Sequence, residues 1–181
     1  MYYMFLADGF EETEALVTLD MLRRASIDIR TVGIGGQMIC GAHDICVKAD
    51  LTEADVDFSC VEGIILPGGM PGTENLYKSS VVADVVDLCI SKNLLICAIC
   101  AAPVILGRRG YLAGRNAVCF PGFEEELSGA EVLDKPCVIS DNIITAKGAG
   151  CVFEFSHSII EYIVGAECAD NVISVIQHKG L

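Results

Sequence analysis

The stretch Leu94-Leu-Ile-Cys-Ala-Ile-Cys100-Ala-Ala102-Pro-Val-Ile-Leu-Gly-Arg-Arg-Gly110 is the most informative part of this sequence about its fold. Its first half is a continuous apolar run, which is typical of a strand buried on both faces of a parallel sheet. Pro103 suits the first turn of a helix, and the two arginines and the glycine at the end are typical of a helix C-terminus. The stretch therefore predicts a sharp strand-to-helix corner with Cys100 at its apex.

Small residues flank this cysteine on both sides, since Ala98 lies two positions before Cys100 and Ala102 two positions after it. This is a cysteine version of the nucleophile elbow, in which tight packing demands small neighbours. At such a corner the backbone N–H groups and the positive end of the new helix point at the sulfur, which favours a thiolate and stabilises a developing oxyanion. The alternative is a buried structural cysteine in a small-residue packing site.

Length and composition indicate one domain over residues 1–181 with a large core, because 52% of the residues are hydrophobic and the mean hydropathy is +0.51. The longest uncharged apolar run, residues 94–107, is shorter than the roughly 20 residues that cross a bilayer. The first seven residues lack a basic region and read as a strand rather than a secretory signal. We therefore expect a cytoplasmic protein that does not interact with membranes.

The charge balance is strongly acidic, with 12 basic and 25 acidic residues and a net charge of −13. Such a field repels phosphate backbones, which argues against a nucleic-acid partner and favours a small molecule or another protein.

The ten cysteines do not have the spacing of a disulfide framework or a metal site. The only C-x-x-C pair, Cys97 and Cys100, lies on the predicted strand, where three residues span about 10 Å. A disulfide needs Cα atoms within about 7 Å. With only three histidines, none of them near a cysteine at ligand spacing, no metal is expected. We expect reduced, unpaired, mostly core-filling thiols at the other eight positions, namely Cys40, Cys46, Cys60, Cys89, Cys119, Cys137, Cys151 and Cys168.

Apolar strands alternate with amphipathic helical windows along the chain, which predicts an α/β sandwich with a mostly parallel sheet. Strands are predicted at residues 2–7, 29–34, 38–40, 45–47, 63–66, 94–99, 116–119, 137–140 and 143–146. Helices are predicted at 12–25, from 73 or 74 to about 92, after Cys100, at 151–164 and at the C-terminus. Because ligands bind at the carboxyl ends of parallel strands, we expect the loops 8–14 and 67–72 to converge on Cys100.

Three carboxylates, those of Glu11, Glu12 and Glu14, lie in the first of these loops. If one points toward Cys100, burial and a neighbouring sulfur anion raise its pKa toward a form that donates a proton. A thiolate beside a protonated carboxyl is a nucleophile with an acid/base partner. The alternative is that these residues only complement the helix dipole. Helical periodicity does not choose among the three.

Four motifs together resemble the ThiJ/PfpI superfamily of class I glutamine amidotransferase-like proteins, in the branch of the Parkinson-disease protein and its bacterial relatives. Their order and approximate spacing fit over nearly the whole chain. The motifs are Gly9-Phe-Glu-Glu-Thr-Glu14, Leu66-Pro-Gly-Gly69, Ala98-Ile-Cys-Ala-Ala-Pro103 and Lys147-Gly-Ala-Gly-Cys-Val-Phe-Glu-Phe155.

This resemblance implies a flavodoxin-like three-layer sandwich, a homodimer, and a site that needs no metal or cofactor. It implies that Cys100 is an easily oxidised nucleophile, that Glu14 is the protonated carboxyl beside its sulfur, and that the N–H groups of Gly69 and Ala101 form an oxyanion pocket. The implied activity on a small-molecule aldehyde is a glyoxalase that converts methylglyoxal to lactate, or a deglycase of early glycation adducts. The alternative is a non-enzymatic redox-sensing chaperone that uses oxidation of Cys100.

The sequence departs from other branches of the superfamily at several positions. Ala101 replaces the histidine that follows the nucleophile in the peptidase-like branch, and His157 does not begin the His-x-Glu motif of the amidotransferases. Phe120 stands where some relatives of this branch carry a histidine before a proline, which puts a proton relay through that position in doubt. The resemblance suggests that His43 replaces an arginine that lines the pocket or the dimer contact, although a loop histidine is also compatible with a solvated role.

Overall fold

The structure, a computed structural model, describes residues 1–180 and alternates strands with helices along the chain. Its first half contains β1 (Tyr2–Leu6), α1 (Glu12–Arg24), β2 (Ile29–Gly33), β3 (Met38–Cys40), β4 (Cys46–Lys48), β5 (Leu51–Thr52), β6 (Gly63–Leu66), α2 (Gly72–Lys78) and α3 (Ser80–Lys92). Its second half contains β7 (Leu95–Ile99), α4 (Pro103–Gly107), β8 (Asn116–Ala117), β9 (Glu131–Val132), β10 (Cys137–Ser140), β11 (Ile143–Ala146), α5 (Val152–Val164) and α6 (Ala166–Val175).

Seven strands form the central sheet in the order β10-β11-β7-β6-β1-β2-β5. All neighbouring strands are parallel except β10 and β11, which form an antiparallel pair at one edge. The predicted α/β class with a mostly parallel sheet is therefore confirmed. The edge pair follows from the short connection between β10 and β11, because parallel neighbours need a crossover.

Helices cover both faces of this sheet, and the alternation of side chains along β1 shows how the two cores are divided. Tyr3 and Phe5 point into a core formed with α2, α3 and α4. Met4 and Leu6 point into a second core formed with α1, α5 and α6. The result is the three-layer sandwich that the resemblance implied.

The single helix predicted from residue 73 or 74 to about 92 is two helices in the structure. Ser79 adopts an extended conformation (φ −74°, ψ 123°) between α2 and α3, and its side chain accepts a hydrogen bond from the N–H of Val82. Serine is a preferred N-cap residue, so α3 begins anew at this position.

The helix after Cys100 also differs from the prediction. It does not begin directly after the cysteine but at Pro103, after a turn, and α4 has only five residues. A helix this short aligns few peptide dipoles, so its field at the sulfur is weaker than the sequence suggested.

The cysteines at the ends of β3 and β4 correct another prediction. Cys40 and Cys46 face each other across this antiparallel hairpin, with Cα atoms 3.9 Å apart, and form a disulfide. Neither lies in the core, because Cys40 is partly exposed and Cys46 is exposed. The expectation of unpaired thiols at these two positions was wrong, since it ignored that the hairpin register brings them together. The other eight cysteines, including Cys97 and Cys100, are free thiols.

Within residues 1–180, no helix has both the length and the apolar composition that a membrane span requires.

Candidate active site

The three predicted loops converge at the carboxyl ends of four strands that are neighbours in the sheet, β11, β7, β6 and β1. Glu14 lies in the first turn of α1, which follows β1, and its carboxylate accepts a hydrogen bond from Gly68, after β6, at 2.8 Å. Gly68 also lies against Cys100, since a Cβ atom at Gly68 would be 2.6 Å from the Cys100 Cβ and 2.7 Å from Glu14 Oε2. Only a glycine allows these three segments to approach so closely.

Cys100 occupies the corner that its small neighbours predict. Its φ of 65° lies in the left-handed region, which is unfavourable for a residue with a Cβ atom. Both of its backbone groups are held, because its N–H donates to the carbonyl of Ala146 at 2.9 Å and its carbonyl accepts from the N–H of Phe120 at 2.8 Å. These bonds fix the turn, and the side chain stays partly accessible to solvent.

Glu14 is the carboxylate that faces this cysteine, which helical periodicity did not decide. Glu11 caps the helix instead, accepting the Glu14 N–H at 2.7 Å. The Glu14 side chain is 1% exposed, and the Cys100 thiol and the Ala149 N–H also face its carboxyl group. Among residues 1–180, Glu14 Oε1 has no hydrogen-bond partner within bonding distance. A buried carboxyl oxygen without a partner is available for a proton or for a substrate atom.

Burial raises the pKa of Glu14 to about 7, although hydrogen bonds from Cys100 and Gly68 oppose this shift. Burial and the neighbouring Glu14 carboxylate raise the pKa of the Cys100 thiol to about 12, against the opposing N–H groups of Ala101 and Gly69. The expectation that Cys100 is ionised near neutrality is therefore not supported, because burial and an acidic neighbour outweigh the amides and the short α4. The site instead holds a neutral thiol beside a carboxyl group that titrates near neutral pH.

The N–H groups of Gly69 and Ala101 both face the Cys100 sulfur, which is the placement expected for an oxyanion pocket. Gly69 has a φ of 91°, and a Cβ atom there would lie 2.4 Å from the backbone nitrogen of Glu11. The positive φ and this close approach explain why the sequence has glycine at this position.

Glu12 and His43 form a second polar group beside the site. Glu12 is buried but accepts the backbone N–H of His43 at 2.6 Å and lies 2.8 Å from His43 Nδ1. Burial opposes ionisation of Glu12, yet the hydrogen bonds from His43 outweigh it and lower the pKa of Glu12. The hydrogen bond and charge of Glu12 in turn raise the pKa of His43. The structure thus places His43 on Glu12 rather than on the thiol.

The side chains of Glu11, Glu12 and His43 bring three possible metal-ligand atoms within 4.8 Å of one another. No sequence motif marks this group, because Glu11 and Glu12 lie far along the chain from His43. The short strands predicted at 38–40 and 45–47 were the available signal, since a hairpin formed by them carries His43 at its turn.

Two residues on the segments that form the site, Phe120 and Met70, have exposed apolar side chains, and we call these two side chains the rim of the site. Phe120 is 48% exposed, and its ring packs against Gly148, where a Cβ atom would lie 3.2 Å from the ring. Met70, which directly follows Gly69, is 47% exposed. The sequence analysis considered Phe120 only for the histidine that it replaces, and it did not single out Met70.

The remaining two histidines make contacts away from this site. His157 Nε2 lies 2.9 Å from Asp170, and the His178 ring stacks on Phe153 with centroids 4.3 Å apart. His157 thus has a surface ion-pair contact and His178 a packing contact.

Comparisons with a family model, with curated proteins and with solved structures all find similarity to DJ-1 proteins. The family model described as the DJ-1/PfpI family matches residues 2–162. The protein dj-1beta of Drosophila melanogaster is 34% identical over 172 residues, which cover 93% of this chain and 92% of the relative. A Caenorhabditis elegans protein named glutathione-independent glyoxalase DJR-1.2 is 32% identical over 165 residues, covering 90% of this chain and 88% of the relative. The structure of oxidized DJ-1 from Toxoplasma gondii superposes with a TM-score of 0.94 at 28% identity, covering 99% of this chain and 98% of its own.

Proposed function

Because the chain belongs to the DJ-1/PfpI family, we propose that it is a cofactor-independent enzyme that converts small 2-oxoaldehydes into 2-hydroxy acids. Cys100 is the nucleophile, Glu14 moves the protons, and the N–H groups of Gly69 and Ala101 stabilise the oxyanion. The observation that carries this proposal is the buried Glu14 carboxyl, with a pKa raised to about 7, beside a partly accessible thiol. The glyoxalase name of the Caenorhabditis elegans relative supports the same chemistry.

The first step follows from the ionisation of the pair. Glu14 as carboxylate accepts the thiol proton while the Cys100 sulfur attacks the aldehyde carbon, so no free thiolate accumulates. A carbon–sulfur bond forms, and the carbonyl electron pair moves onto oxygen beside the Gly69 and Ala101 N–H groups. Glu14 then returns the proton to that oxygen, which completes a hemithioacetal.

The second step moves hydrogen within the substrate. Glu14 removes the proton from the former aldehyde carbon and delivers it to the ketone oxygen, which gives an enediol. The hydroxyl proton on the former aldehyde carbon then passes through Glu14 to the neighbouring carbon. The aldehyde carbon is thereby oxidised and the ketone carbon reduced, which leaves a thioester of a 2-hydroxy acid on Cys100. Water cleaves the thioester, releases the 2-hydroxy acid and restores the thiol. The overall reaction adds one water molecule to the aldehyde and consumes no external oxidant or reductant.

Release of lactate from methylglyoxal tests this mechanism directly. We expect the Cys100→Ser and Glu14→Gln variants to lose at least about 100-fold in kcat/KM, in line with removal of a nucleophile or a general base. Cys168→Ser, which replaces a partly exposed thiol on α6, is the matched control and should retain wild-type activity. Equal rates in the wild type and in the Cys100 and Glu14 variants would reject the mechanism.

The same nucleophile and acid/base pair suits deglycation of early adducts between 2-oxoaldehydes and amines or thiols. We include this as the alternative reaction of the site. Release of the free amine from a preformed methylglyoxal hemiaminal, at a rate above its spontaneous breakdown, distinguishes deglycation from simple aldehyde turnover.

A redox-sensing role of Cys100 is the second candidate, favoured by its partial exposure and by the neighbouring Gly69 and Ala101 N–H groups that suit sulfinate oxygens. The raised thiol pKa weighs against it, because oxidation by peroxide proceeds through the thiolate. Peptide mass spectrometry after graded peroxide tests it. Gain of two oxygen atoms confined to the Cys100 peptide would support sensing, whereas indiscriminate oxidation of several cysteines would contradict it.

We further propose that the chain forms a single domain that works as a homodimer in the cytoplasm, without a nucleic-acid or membrane partner. The net charge of −13 supports the absence of nucleic-acid binding. Eight free thiols favour a reducing compartment, whereas the Cys40–Cys46 disulfide weighs against it. A groove of about 400 Å³ between α1 and the C-terminal helices supports self-association, because it is lined by the mainly apolar set Leu16, Val17, Asp20, Met21, Arg24, Phe153 and Ile176.

A further inference from the structure

The two exposed apolar side chains at the rim, Phe120 and Met70, are attached to the segments that form the site. The Phe120 N–H donates to the Cys100 carbonyl at 2.8 Å. Met70 directly follows Gly69, whose N–H faces the sulfur. Both side chains are thus carried by backbone that bonds to the Cys100 peptide or directly follows a group that faces its sulfur.

The Phe120 ring has a fixed side and an open side. It packs against Gly148, where a Cβ atom would lie 3.2 Å from Cδ2 and 3.7 Å from Cε2. The next residue, Ala149, directs its N–H toward Glu14. Phe120 therefore contacts both the peptide of Cys100, through its backbone, and the segment that faces the acid/base carboxyl, through its ring. Nearly half of the Phe120 surface is exposed to solvent.

The cationic side chains on the segments next to the site are already paired. Lys147, which precedes Gly148, forms an ion pair with Asp134. His43 lies 2.8 Å from Glu12. With these charges neutralised locally, the rim offers apolar surface rather than an anion-binding group to the part of a substrate that extends away from Cys100.

We propose that Phe120 and Met70 are specificity-determining residues that bind an apolar substituent on the ketone carbon of the substrate. The inference rests on the proposed function and deepens it. The preferred substrates are then 2-oxoaldehydes with an aryl or extended alkyl group, ahead of methylglyoxal and of polyhydroxylated, sugar-derived 2-oxoaldehydes. Burial of apolar surface against the ring and the thioether supplies the discrimination, and such contacts typically change kcat/KM by about 10-fold or more.

Competing substrates test this specificity. We expect a kcat/KM for phenylglyoxal at least about 10-fold above those for methylglyoxal and 3-deoxyglucosone. Phe120→Ala and Met70→Ala should each lower the ratio of phenylglyoxal to methylglyoxal by about 3- to 10-fold, mainly through KM for phenylglyoxal. Tyr162→Ala, which removes an aromatic side chain of similar exposure (46%) from α5, is the matched control and should leave the ratio unchanged.

Covalent labelling of Cys100 tests the same apolar contact with Phe120 without requiring turnover of an aldehyde. In the reaction with a methanethiosulfonate, the Cys100 sulfur forms a disulfide with the transferred thiol, methanesulfinate leaves, and the thiol proton passes to Glu14. We expect the benzyl reagent to label the Cys100 peptide faster than the methyl reagent, and Phe120→Ala to remove that difference. Both reagents should label the Cys168 peptide without this dependence on Phe120.

The outcomes separate the two proposals. Turnover of both aldehydes with a ratio that does not respond to Phe120→Ala or Met70→Ala overturns the inference and leaves the enzymatic function intact. Failure to turn over any aldehyde, together with benzyl-selective labelling that depends on Phe120, rejects the enzymatic function while supporting the apolar binding surface. Equal labelling by both reagents in all variants contradicts the proposed apolar binding surface.

Discussion

Glu14 and Cys100 form a coupled acid pair, because the Glu14 carboxylate raises the pKa of the thiol while the hydrogen bond from the thiol lowers the pKa of Glu14. Burial is the largest cause of both shifts, and the negative carboxylate adds to the shift of the thiol. As the pH rises through about 7 the pair therefore gains one negative charge, and Glu14 is the group that carries it. The reactive sulfur is generated during attack rather than stored as an anion.

The pH profile of kcat/KM should report the Glu14 carboxyl. Because the carboxylate is the form that accepts the thiol proton, activity should rise as the pH increases through about 7 and then level off, with the thiol still protonated. Initial rates with a 2-oxoaldehyde between pH 5 and 9 measure this profile. A profile that rises instead with the pKa of a free thiol, about 8.5, would contradict the assignment.

The same carboxyl makes folding stability depend on pH. The pKa of Glu14 is raised in the folded state to about 7 from 4.5, so the folded protein binds this proton more tightly than the unfolded chain. Its contribution is fully present below pH 4.5 and is lost as the pH rises through 7, by about 3 kcal/mol. Relative to wild type, Glu14→Gln should therefore become more stable over this range.

Urea unfolding at a series of pH values measures the difference between the two proteins. Glu125→Gln, a change at an exposed glutamate, is the control and should follow the wild type. A difference between wild type and Glu14→Gln that does not vary with pH would show that Glu14 is not protonated preferentially in the folded state.

At the residue scale, the sequence predicted where Cys100 lies in the fold better than it predicted the burial and the pKa of the site residues. The small residues around Cys100 were sufficient to predict a corner, since only small side chains fit there. Glu11, Glu12 and Glu14 could not be distinguished, because the choice depends on the distance of each carboxyl from Gly68 and Cys100 in the folded chain. The thiol pKa was mispredicted for the same reason, since burial is a property of packing rather than of local sequence.

At the scale of elements, the β3–β4 hairpin is held by contacts other than the hydrogen bonds between its own two strands. Besides the Cys40–Cys46 disulfide, Cys40 accepts the Gly9 N–H at 2.8 Å through its carbonyl and donates its own N–H to Asp8 at 2.9 Å. The hairpin thus anchors the loop that leads into α1 and Glu14.

Removing the disulfide should lower the free energy of unfolding by about 2 kcal/mol, because a bridge with a sequence separation of 6 closes only a short loop. Denaturant unfolding of a Cys40→Ser, Cys46→Ser double variant against oxidised wild type measures this loss. A dithiol reductant should bring the wild type to the stability of the double variant and leave the variant unchanged. An identical midpoint for oxidised and reduced wild type would contradict a stabilising bridge.

Strands and helices were predictable where a strong apolar pattern lay within a short stretch of sequence. The boundaries of β10 and β11 agree with the predicted 137–140 and 143–146 because short apolar runs flank a two-residue turn. The break between α2 and α3 was missed because the apolar stripe of α3 dominated the window, although Ser79 before a valine-rich run was a readable N-cap. The disulfide was missed because the two short strands were predicted separately, and only their pairing brings Cys40 opposite Cys46.

At the scale of the whole molecule, self-association is the remaining expectation for the groove beside α1. A charged side chain at its floor should be costly in an apolar contact between copies. We expect wild type to sediment as a dimer and Val17→Arg to shift toward the monomer at micromolar concentration. Tyr162→Ala, outside the groove, should sediment as wild type. A wild-type protein that is monomeric at all accessible concentrations would reject the dimer.

The convergence of Glu14, Gly68, Cys100 and Ala149 on four neighbouring strands has a consequence for biosynthesis. Ala149 follows β11, so a ribosome must add 49 residues after Cys100 before the last of these segments can join the sheet. Until then the thiol has no carboxyl group fixed beside it and no completed turn around it. The nascent chain therefore carries Cys100 without its site, and the proposed reactivity begins only after the segment that follows β11 has been synthesised.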